Sequence, residues 1–318
     1  MIHRTQDISS TESGAALEFL WLELTNQCNL RCTHCYAESG PDRNIDDLLA
    51  RSDYENLIRE GRELGCKQIQ FIGGEPTLNR DLGYFIQLAA ENSYSSIEVF
   101  TNLISLSDEL VECFVEYGVK VATSVYASDA SIHDGITQVT GSFQKTIRNI
   151  EKLLCAGVPV RAGVIAMESN SKQVEATISY LKDIGVHNVG SDRLRHIGRG
   201  KDDSDNSSLT ELCGSCAGNT LCVGPDGRVS PCIMSKCWSV GSVLETSLEE
   251  IATSDKIRNL RCEIHNAVIE PSKGDNSGLN GMEAVCTPKI CAPYSSCSPK
   301  HGPGPCEPSG CSPCYPKG

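Results

Sequence analysis

The stretch QCNLRCTHCY, residues 27–36, decides the fold, because it places Cys28, Cys32 and Cys35 on one short loop directly after an apolar, β-prone run. A [4Fe-4S] cluster has four irons, which four thiolates normally bind. Three thiolates on one loop leave one iron free to bind a group that is not protein, and an open coordination position is where metal chemistry occurs. The triplet alone is also compatible with a zinc site completed by His34, or with buried cysteines that bind nothing.

A glycine-rich motif occupies the corresponding place after the second predicted strand. Residues 71–77 read FIGGEPT, with Gly73, Gly74, Glu75 and Pro76 just past the end of the strand. Because ligands of parallel sheets bind at the carboxyl ends of the strands, we expect both motifs to face one site. Glycines let the main chain approach a ligand closely, and exposed carbonyl oxygens can accept hydrogen bonds from an ammonium group.

The region from Glu18 to about Arg193 alternates β-prone runs with stretches of helical period, which is typical of βα units around a parallel sheet. Six strands are predicted, at 18–24, 67–72, 96–101, 120–125, 158–165 and 187–193. Gly157 and Gly185 are expected to end the two helices that follow strands four and five. The sequence therefore predicts an α/β fold, namely a partial (β/α)6 TIM-like barrel followed by a C-terminal cysteine-rich auxiliary cluster domain.

The two motifs resemble the signature of the radical S-adenosylmethionine (SAM) superfamily, which is CxxxCxxC with an aromatic residue beside the last cysteine, and a later GGEP. The resemblance implies that Cys28, Cys32 and Cys35 hold a [4Fe-4S] cluster whose open iron is chelated by SAM. It also implies that Tyr36 lies near the adenine and that the Gly73 to Pro76 backbone receives the SAM amino group. The expected chemistry is reductive cleavage of SAM to a 5'-deoxyadenosyl radical, which abstracts hydrogen from a substrate.

Two further positions match the superfamily less closely. Asn102 follows the third strand and Ser124 lies on the fourth, where a SAM ribose or carboxylate would be held, although a local turn or cap is an equal alternative. The chain departs from the pattern after Ser124: relatives often read Ser-x-Asp-Gly, whereas Tyr126 stands here in place of the aspartate. It also lacks the arginine that often follows the pair His133-Asp134.

Net charge and cysteine content limit the kinds of partner and the cellular compartment that are expected for this protein. The 318 residues include 41 acidic and 28 basic side chains, a formal charge of -13 that argues against nucleic acid as a partner. The N-terminus lacks a secretory signal, so a cytoplasmic protein without a membrane partner is expected. Because a reducing cytosol does not normally sustain disulfides, the 18 cysteines indicate metal binding.

Twelve of the cysteines follow residue 212. Cys213 and Cys216 form a CxxC, and a Pro-Asp-Gly turn returns the chain to Cys232. This segment resembles the SPASM and twitch extensions of radical SAM enzymes, because it has Cys216-Ala-Gly, then the turn, and then Gly227 separated from Cys232 by four residues. The resemblance implies one or two auxiliary [4Fe-4S] clusters, the first bound by these three cysteines with Cys222 or Cys237. A four-cysteine zinc ribbon is the alternative.

A second auxiliary cluster is expected to use cysteines of the tail, namely Cys291, Cys297, Cys311 and Cys314, although their order departs from the CxxCx5CxxxC of a full SPASM domain. The predicted organisation is an N-terminal extension at 1–17, the barrel at 18–200, the auxiliary cluster domain at 201–262 and a Cys/Pro-rich tail at 263–318. Residues 198–208 read as a linker.

Two groups of side chains are given a structural interpretation. The cationic group Arg193, Arg195, His196 and Arg199 is predicted to be solvated linker charge, with carboxylate binding as the alternative. The isolated cysteines 66, 113 and 155 are predicted to be buried small apolar residues.

Extensions of the SPASM type accompany enzymes that mostly modify peptides, and this predicts hydrogen abstraction from a ribosomally synthesised peptide to form a cross-link or an oxidised residue. An auxiliary cluster suits such oxidations because it can accept an electron from a substrate radical. The alternatives are a dehydrogenase or epimerase acting on a small molecule or a peptide residue, and a non-catalytic iron-sulfur or zinc protein. Fewer than twenty residues precede the first strand, so a separate leader-binding protein is expected, together with an electron donor of the flavodoxin or ferredoxin type.

Overall fold

Six parallel strands form the main sheet of the chain, which is described here as a computed structural model covering residues 16–43, 47–201 and 208–269. The strands are β1 (Phe19–Glu23), β2 (Gln68–Ile72), β3 (Ser96–Phe100), β4 (Lys120–Ser124), β5 (Val160–Ala166) and β6 (Asn188–Arg193). They lie side by side in sequence order, each parallel to the next. The predicted partial barrel is confirmed, and all six strands lie where the sequence places them.

Helices connect the strands and cover the outer face of the sheet. They are α1 (Arg51–Glu63), α2 (Leu82–Glu91), α3 (Asp108–Glu116), α4 (Ala130–Thr137), α5 (Ser142–Cys155) and α6 (Val174–Asp183). Gly157 and Gly185, just past α5 and α6, have φ angles of +78° and +102°, a left-handed conformation that glycine adopts without steric cost and that ends a helix. Phe71, Phe85 and Phe114 are fully buried between sheet and helices.

The second cysteine-rich region continues the same sheet. It contributes β7 (Thr220–Val223), β8 (Arg228–Ser230), β9 (Gly241–Ser242), α7 (Leu248–Thr253) and α8 (Asp255–Ile264). Strand β7 pairs in parallel with β1, whereas β8 and β9 pair antiparallel, so the sheet order is β6-β5-β4-β3-β2-β1-β7-β8-β9. The auxiliary region thus lies directly against the strand that leads into the CxxxCxxC loop. The division of the chain at residue 200 stays a prediction.

In the described part of the chain, every helix is too short or too polar to cross a lipid bilayer.

Candidate active site

One cavity at the carboxyl ends of the parallel strands contains the CxxxCxxC motif. Cys28, Cys32 and Cys35 line it, and so do Gly73 and Gly74 from the loop after β2. Asn102 after β3 and Ser124 at the end of β4 also line this cavity. The structure therefore brings the two motifs and both weaker candidates together, and their roles as ligands stay predictions.

The loop that carries the three cysteines, residues 28–40, is held by backbone hydrogen bonds at several points. Its two ends meet where Cys28 N donates to Gly40 O at 3.0 Å. In the middle, Arg31 N and Thr33 N donate to the last carbonyl groups of α4, at 3.1 and 3.0 Å. Because a helix end leaves its final carbonyls without partners, α4 is a natural anchor for this loop.

Arg199 fastens the same loop from the other side. Its guanidinium donates from Nε to Cys32 O and from Nη2 to Ser39 O, both at 2.8 Å, and its backbone N–H donates to Cys35 O at 3.0 Å. The preceding Gly198 packs so closely that a Cβ there would lie 2.4 Å from Tyr36 O. The prediction that Arg199 is solvated linker charge is wrong, because its planar fork matches two fixed carbonyl groups.

The prediction is also wrong for Arg195. This side chain is buried and forms an ion pair with Asp192 at 2.8 Å, and its Nη1 donates to Glu211 O. Among the isolated cysteines, Cys66 is buried and Cys113 partly so, but Cys155 at the end of α5 is exposed, which corrects the expectation for that residue.

We expect Arg199→Ala to lower the affinity of the loop for iron by about 10- to 100-fold, the usual cost of losing a group that orients a metal ligand. Arg199→Lys should give a similar loss, because an ammonium cannot bridge the two carbonyls as a guanidinium does. Iron bound per chain after anaerobic reconstitution measures the effect. The control is Arg258→Ala on the exposed side of α8, which should bind iron as the wild type does. Full iron content in Arg199→Ala would show that the clamp is dispensable.

The GGEP loop is tied to the segment that leads into the cysteines. Gly74 N donates to Thr25 O at 2.7 Å, and Glu75 N donates to Gln27 O at 2.8 Å. This close approach excludes a side chain, because a Cβ on Gly74 would lie 2.2 Å from Gln27 O and one on Gly73 would lie 2.5 Å from Thr25 O. The glycines therefore bring two ligand-bearing loops into backbone contact.

Gly74→Ala should destabilise the fold by at least about 1–3 kcal/mol, the usual cost of overpacking, since the clashing atom is a backbone oxygen. It should also weaken SAM binding, because the two loops must separate. The matched control is Gly135→Ala in α4, where a Cβ meets nothing within 4 Å; there alanine should be neutral or stabilising by about 0.5–1 kcal/mol. Thermal unfolding and equilibrium binding of SAM test both. Equal behaviour of the two variants would contradict the close-approach argument.

Glu75 organises the loops around it through its side chain. The fully buried carboxylate accepts from Thr77 N and Oγ1, at 3.1 and 2.7 Å, from Thr101 Oγ1 at 2.6 Å and from Asn102 N at 2.8 Å. Burial raises the pKa of this carboxyl, and the donors oppose the rise. Asn102 in turn lies 3.7 Å from Cys28 Sγ through its Nδ2. Glu75 thus connects the GGEP loop to the loop after β3 and, through it, to the first cysteine.

The electrostatics of the Cys28 and Cys32 thiols suit a bound cation. Burial, together with the neighbouring cysteines, raises the pKa of Cys28 and of Cys32 to about 12. Thiolates in this position therefore need a compensating positive charge, which iron supplies when it displaces the proton. No three His, Cys, Asp or Glu side chains of the described residues are grouped for a single ion.

An aromatic wall that the sequence did not single out as functional closes the cavity beside Cys32. The rings of His34 and Tyr126 meet edge to face with their centres 4.7 Å apart, and the centre of the His133 ring lies 5.4 Å from that of Tyr126. Burial lowers the pKa of both His34 and His133 to about 4, so both imidazoles are neutral near pH 7. In the sequence, the one sign of this wall was that Tyr126 stands where the Ser-x-Asp-Gly pattern has its aspartate.

Tyr36 borders a second cavity between the cysteine loop and the auxiliary region. That cavity also contains Glu23 at the end of β1, which is fully buried and pairs with Lys236 at 2.6 Å. Burial raises the pKa of the Glu23 carboxyl, while the Lys236 ammonium opposes the rise. The Lys236 ammonium lies 5.7 Å from the Tyr36 ring centre. Tyr36 therefore lies between the two cavities, and its contact with adenine stays a prediction.

The auxiliary cysteines are only partly brought together. Cys216 and Cys232 are both buried, and the neighbouring Cys216 thiol, burial and the Cys213 thiol raise the pKa of Cys232. Cys222, on β7, faces Glu23 and Lys236, and burial raises its pKa well above the usual range. Cys237 is exposed at the rim of the second cavity. The group of three fits a cluster site, the fourth ligand stays open, and Cys291, Cys297, Cys311 and Cys314 lie outside the described residues.

Three of the proteins to which this chain is similar illustrate the range of its relatives. The chain is 24% identical over 279 residues to the sporulation killing factor maturation protein SkfB of Bacillus subtilis, covering 77% of this chain and 67% of SkfB. It is 24% identical over 280 residues to the subtilosin biosynthesis protein AlbA of the same organism, covering 75% and 60%. A probable GTP 3',8-cyclase of Sulfurisphaera tokodaii is 30% identical over 190 residues, 59% of each chain. The chain thus spans about three fifths to two thirds of these relatives.

Solved structures share the fold at low sequence identity. SuiB of Streptococcus suis bound to S-adenosylmethionine superposes with a TM-score of 0.64 and 13% identity, over 78% of this chain and 68% of SuiB. A structure of anSMEcpe with AdoMet and a peptide gives 0.63 and 17%, over 81% and 86%. The family models match as well, the radical SAM superfamily at residues 22–181 and an iron-sulfur cluster-binding SPASM domain at 213–274. The chain is therefore a radical SAM enzyme, a member of that superfamily that uses a [4Fe-4S] cluster with SAM and carries a SPASM domain for auxiliary iron-sulfur clusters.

Proposed function

We propose that this enzyme modifies a ribosomally synthesised peptide, forming a cross-link or an oxidised residue. The observation that carries the proposal is the extent of similarity along the chain. The matches to SkfB and AlbA, named for a maturation and a bacteriocin biosynthesis function, run through 77% and 75% of the chain. The match to the GTP 3',8-cyclase covers 59%. A peptide maturase thus accounts for more of the molecule than a nucleotide cyclase does.

In the proposed site, Cys28, Cys32 and Cys35 hold the cluster, and the carbonyl groups of Gly73 and Gly74 bind the SAM ammonium. When bound, the cluster and SAM supply the reductive cleavage that generates a hydrogen-abstracting radical. The protein's task is to hold SAM and one substrate hydrogen in register and to exclude water. The fixed backbone contacts of the two loops, through Thr25 and Gln27, serve that task because they leave the ligand groups little freedom.

The auxiliary region is proposed to bind its first cluster through Cys213, Cys216 and Cys232. Cys213 and Cys216 precede β7 and Cys232 follows β8, so the pairing of β7 with β1 attaches the segment that carries them to the sheet that forms the SAM cavity. A cluster there would be held rigidly with respect to the substrate. A flavodoxin- or ferredoxin-type electron donor and a separate leader-binding protein are further expectations for the complete reaction.

Anaerobic reconstitution tests the proposal. The reduced enzyme would be incubated with SAM and with synthetic peptides encoded by short reading frames beside its gene, in parallel with GTP. We expect 5'-deoxyadenosine to accumulate with a peptide that loses two hydrogen atoms for each cross-link, as seen by mass spectrometry. Conversion of GTP with unchanged peptides would favour the cyclase. Absence of 5'-deoxyadenosine from iron-loaded protein in every mixture would contradict catalytic function in this chain.

A further inference from the structure

The auxiliary region contributes two apolar side chains to the SAM cavity. Ile233 and Met234 line that cavity together with the cysteine loop, although they belong to the segment between β8 and β9. Every residue that the sequence motifs assign to SAM belongs instead to the barrel, between Cys28 and Ser124. Ile233 and Met234 thus form a part of the cavity wall for which the SAM motifs do not account.

A tight turn fixes the position of these two side chains. Ser235 N donates to Cys232 O at 3.1 Å, which closes a turn with Ile233 and Met234 as its central residues. The fully buried Ser235 hydroxyl accepts from Cys232 N at 2.8 Å and donates to Cys232 O at 2.9 Å. Ser230 Oγ donates to the same carbonyl at 3.0 Å. Because buried hydrogen bonds hold the turn, Ile233 and Met234 have little freedom to leave the wall.

Other apolar side chains line the same cavity. They are Phe100 at the end of β3, Ile165 on β5 and Leu194 just after β6. Ile233 is 8% exposed, and Met234 packs partly buried against the hydrophobic core. A cavity with such walls gains free energy when apolar surface enters it from water.

The three arginines that line the cavity all have carboxylate partners. The pairs are Arg161 with Glu98, Arg195 with Asp192 and Arg193 with Glu211, at 2.7, 2.8 and 2.8 Å. The first two pairs are almost completely buried. A charged side chain that entered the cavity would lose its hydration and meet charges that are already compensated, which costs free energy.

We propose that the turn from Cys232 to Ser235 forms a specificity subsite for an uncharged, apolar substrate side chain of the size of leucine, methionine or phenylalanine. Ile233 and Met234 contact that side chain directly. Its assignment to a peptide rests on the proposed function. Because Ile233 directly follows Cys232, the same turn positions both the substrate side chain and a cysteine that is proposed to bind the first auxiliary cluster.

Binding of single amino-acid derivatives tests the subsite. The probes are the N-acetyl amides of leucine, phenylalanine, aspartate and lysine, and equilibrium dialysis under argon measures their binding to the iron-loaded protein with SAM. We expect the two apolar derivatives to bind at least about tenfold more tightly than the two charged ones, because burial is favourable for an apolar side chain and unfavourable for a charge. A wild type that binds the apolar derivatives no more tightly than the charged ones would overturn the inference.

Met234→Lys should reverse this preference. The aspartate derivative should gain at least about tenfold in affinity relative to the leucine derivative, because the ammonium supplies a partner for its carboxylate. Met234→Leu keeps the volume and the apolar character, so it should bind as the wild type does. Leu244→Lys adds the same charge at an exposed position in the groove between α1 and α7, and it should also keep the wild-type preference. An unchanged preference in Met234→Lys that still binds SAM would show that residue 234 does not contact the occupant.

Peptides separate this inference from the proposed function. The synthetic peptides encoded by short reading frames beside the gene would be incubated with the wild type, and mass spectrometry would locate the modified residue. An apolar residue at that position would support both proposals. A charged residue there would overturn the subsite and leave the proposed function intact. Selective binding of the apolar amides without modification of any peptide would contradict peptide maturation and leave the subsite standing.

Discussion

The Cys32→Ala variant is expected to form 5'-deoxyadenosine at least about a hundredfold more slowly than the wild type. Loss of a group that only orients a metal ligand usually costs about 10- to 100-fold, and loss of the ligand itself should cost more. The reason is the position of Cys32 between the other two cysteines of its loop. Its backbone carbonyl is held by Arg199, and its thiol lines the cavity. No other cysteine of the described residues lines that cavity apart from Cys28 and Cys35, so none can take its place.

Iron analysis makes the result specific. Cys32→Ala should retain the auxiliary iron, since Cys213, Cys216 and Cys232 belong to a separate group. The matched control is Cys155→Ala at the exposed end of α5, which should keep both its iron and its rate. Undiminished 5'-deoxyadenosine formation by Cys32→Ala would refute the assignment of the loop as the SAM cluster site. Loss of all iron would show instead that the two cluster regions depend on each other.

The barrel could be predicted from sequence because parallel buried strands and amphipathic helices have strong local patterns. Gly157 and Gly185 end their helices where the sequence indicates, and every strand from β1 to β6 lies at its predicted place. The site could be predicted because its residues come in two contiguous motifs. Each motif follows a strand, and strand order alone then brings Cys28 and Gly74 to one cavity.

The remaining features depend on contacts between distant parts of the chain. Arg199 reaches residues 32 and 39 from more than 150 positions away, and nothing in its own neighbourhood distinguishes it from a solvated arginine. The pairing of β7 with β1 was missed for the same reason, since a four-residue strand gives a weak pattern. Tyr126 was visible only as a departure from a family pattern, which does not reveal what the new side chain contacts.

A buried ion pair below the SAM cavity gives the largest expected effect on stability. Arg161 on β5 donates from Nε and Nη2 to the two oxygens of Glu98 on β3, at 2.8 and 2.7 Å. Gln70 on β2 also donates to Glu98. Both charged side chains are almost completely buried, at 7% and 1% exposed. The pair therefore spans the sheet across β4, where Lys120 is in register with Glu98 and Ala122 is in register with Arg161.

Arg161→Met should destabilise the protein by about 3–5 kcal/mol, because it leaves the Glu98 carboxylate buried without its partner. For a chain of this size the corresponding fall in Tm is more than about 6 °C. The control is Asp42→Ala, which breaks the exposed pair with Arg31 and should cost less than about 1 kcal/mol. Thermal unfolding of the iron-loaded proteins under argon compares the two.

The double variant Arg161→Met, Glu98→Leu separates the cost of an unpaired charge from the worth of the pair itself. Replacing both partners with apolar groups of similar volume removes the buried charge, so most of the stability lost in Arg161→Met should return. Gln70 would then lose its acceptor, which leaves a residual cost of about 1–3 kcal/mol. If the double variant were as unstable as Arg161→Met, the loss would come from packing around the guanidinium stem rather than from an uncompensated carboxylate. Recovery of Tm without recovery of SAM binding would show that Arg161, which lines the SAM cavity, shapes that cavity as well as the fold.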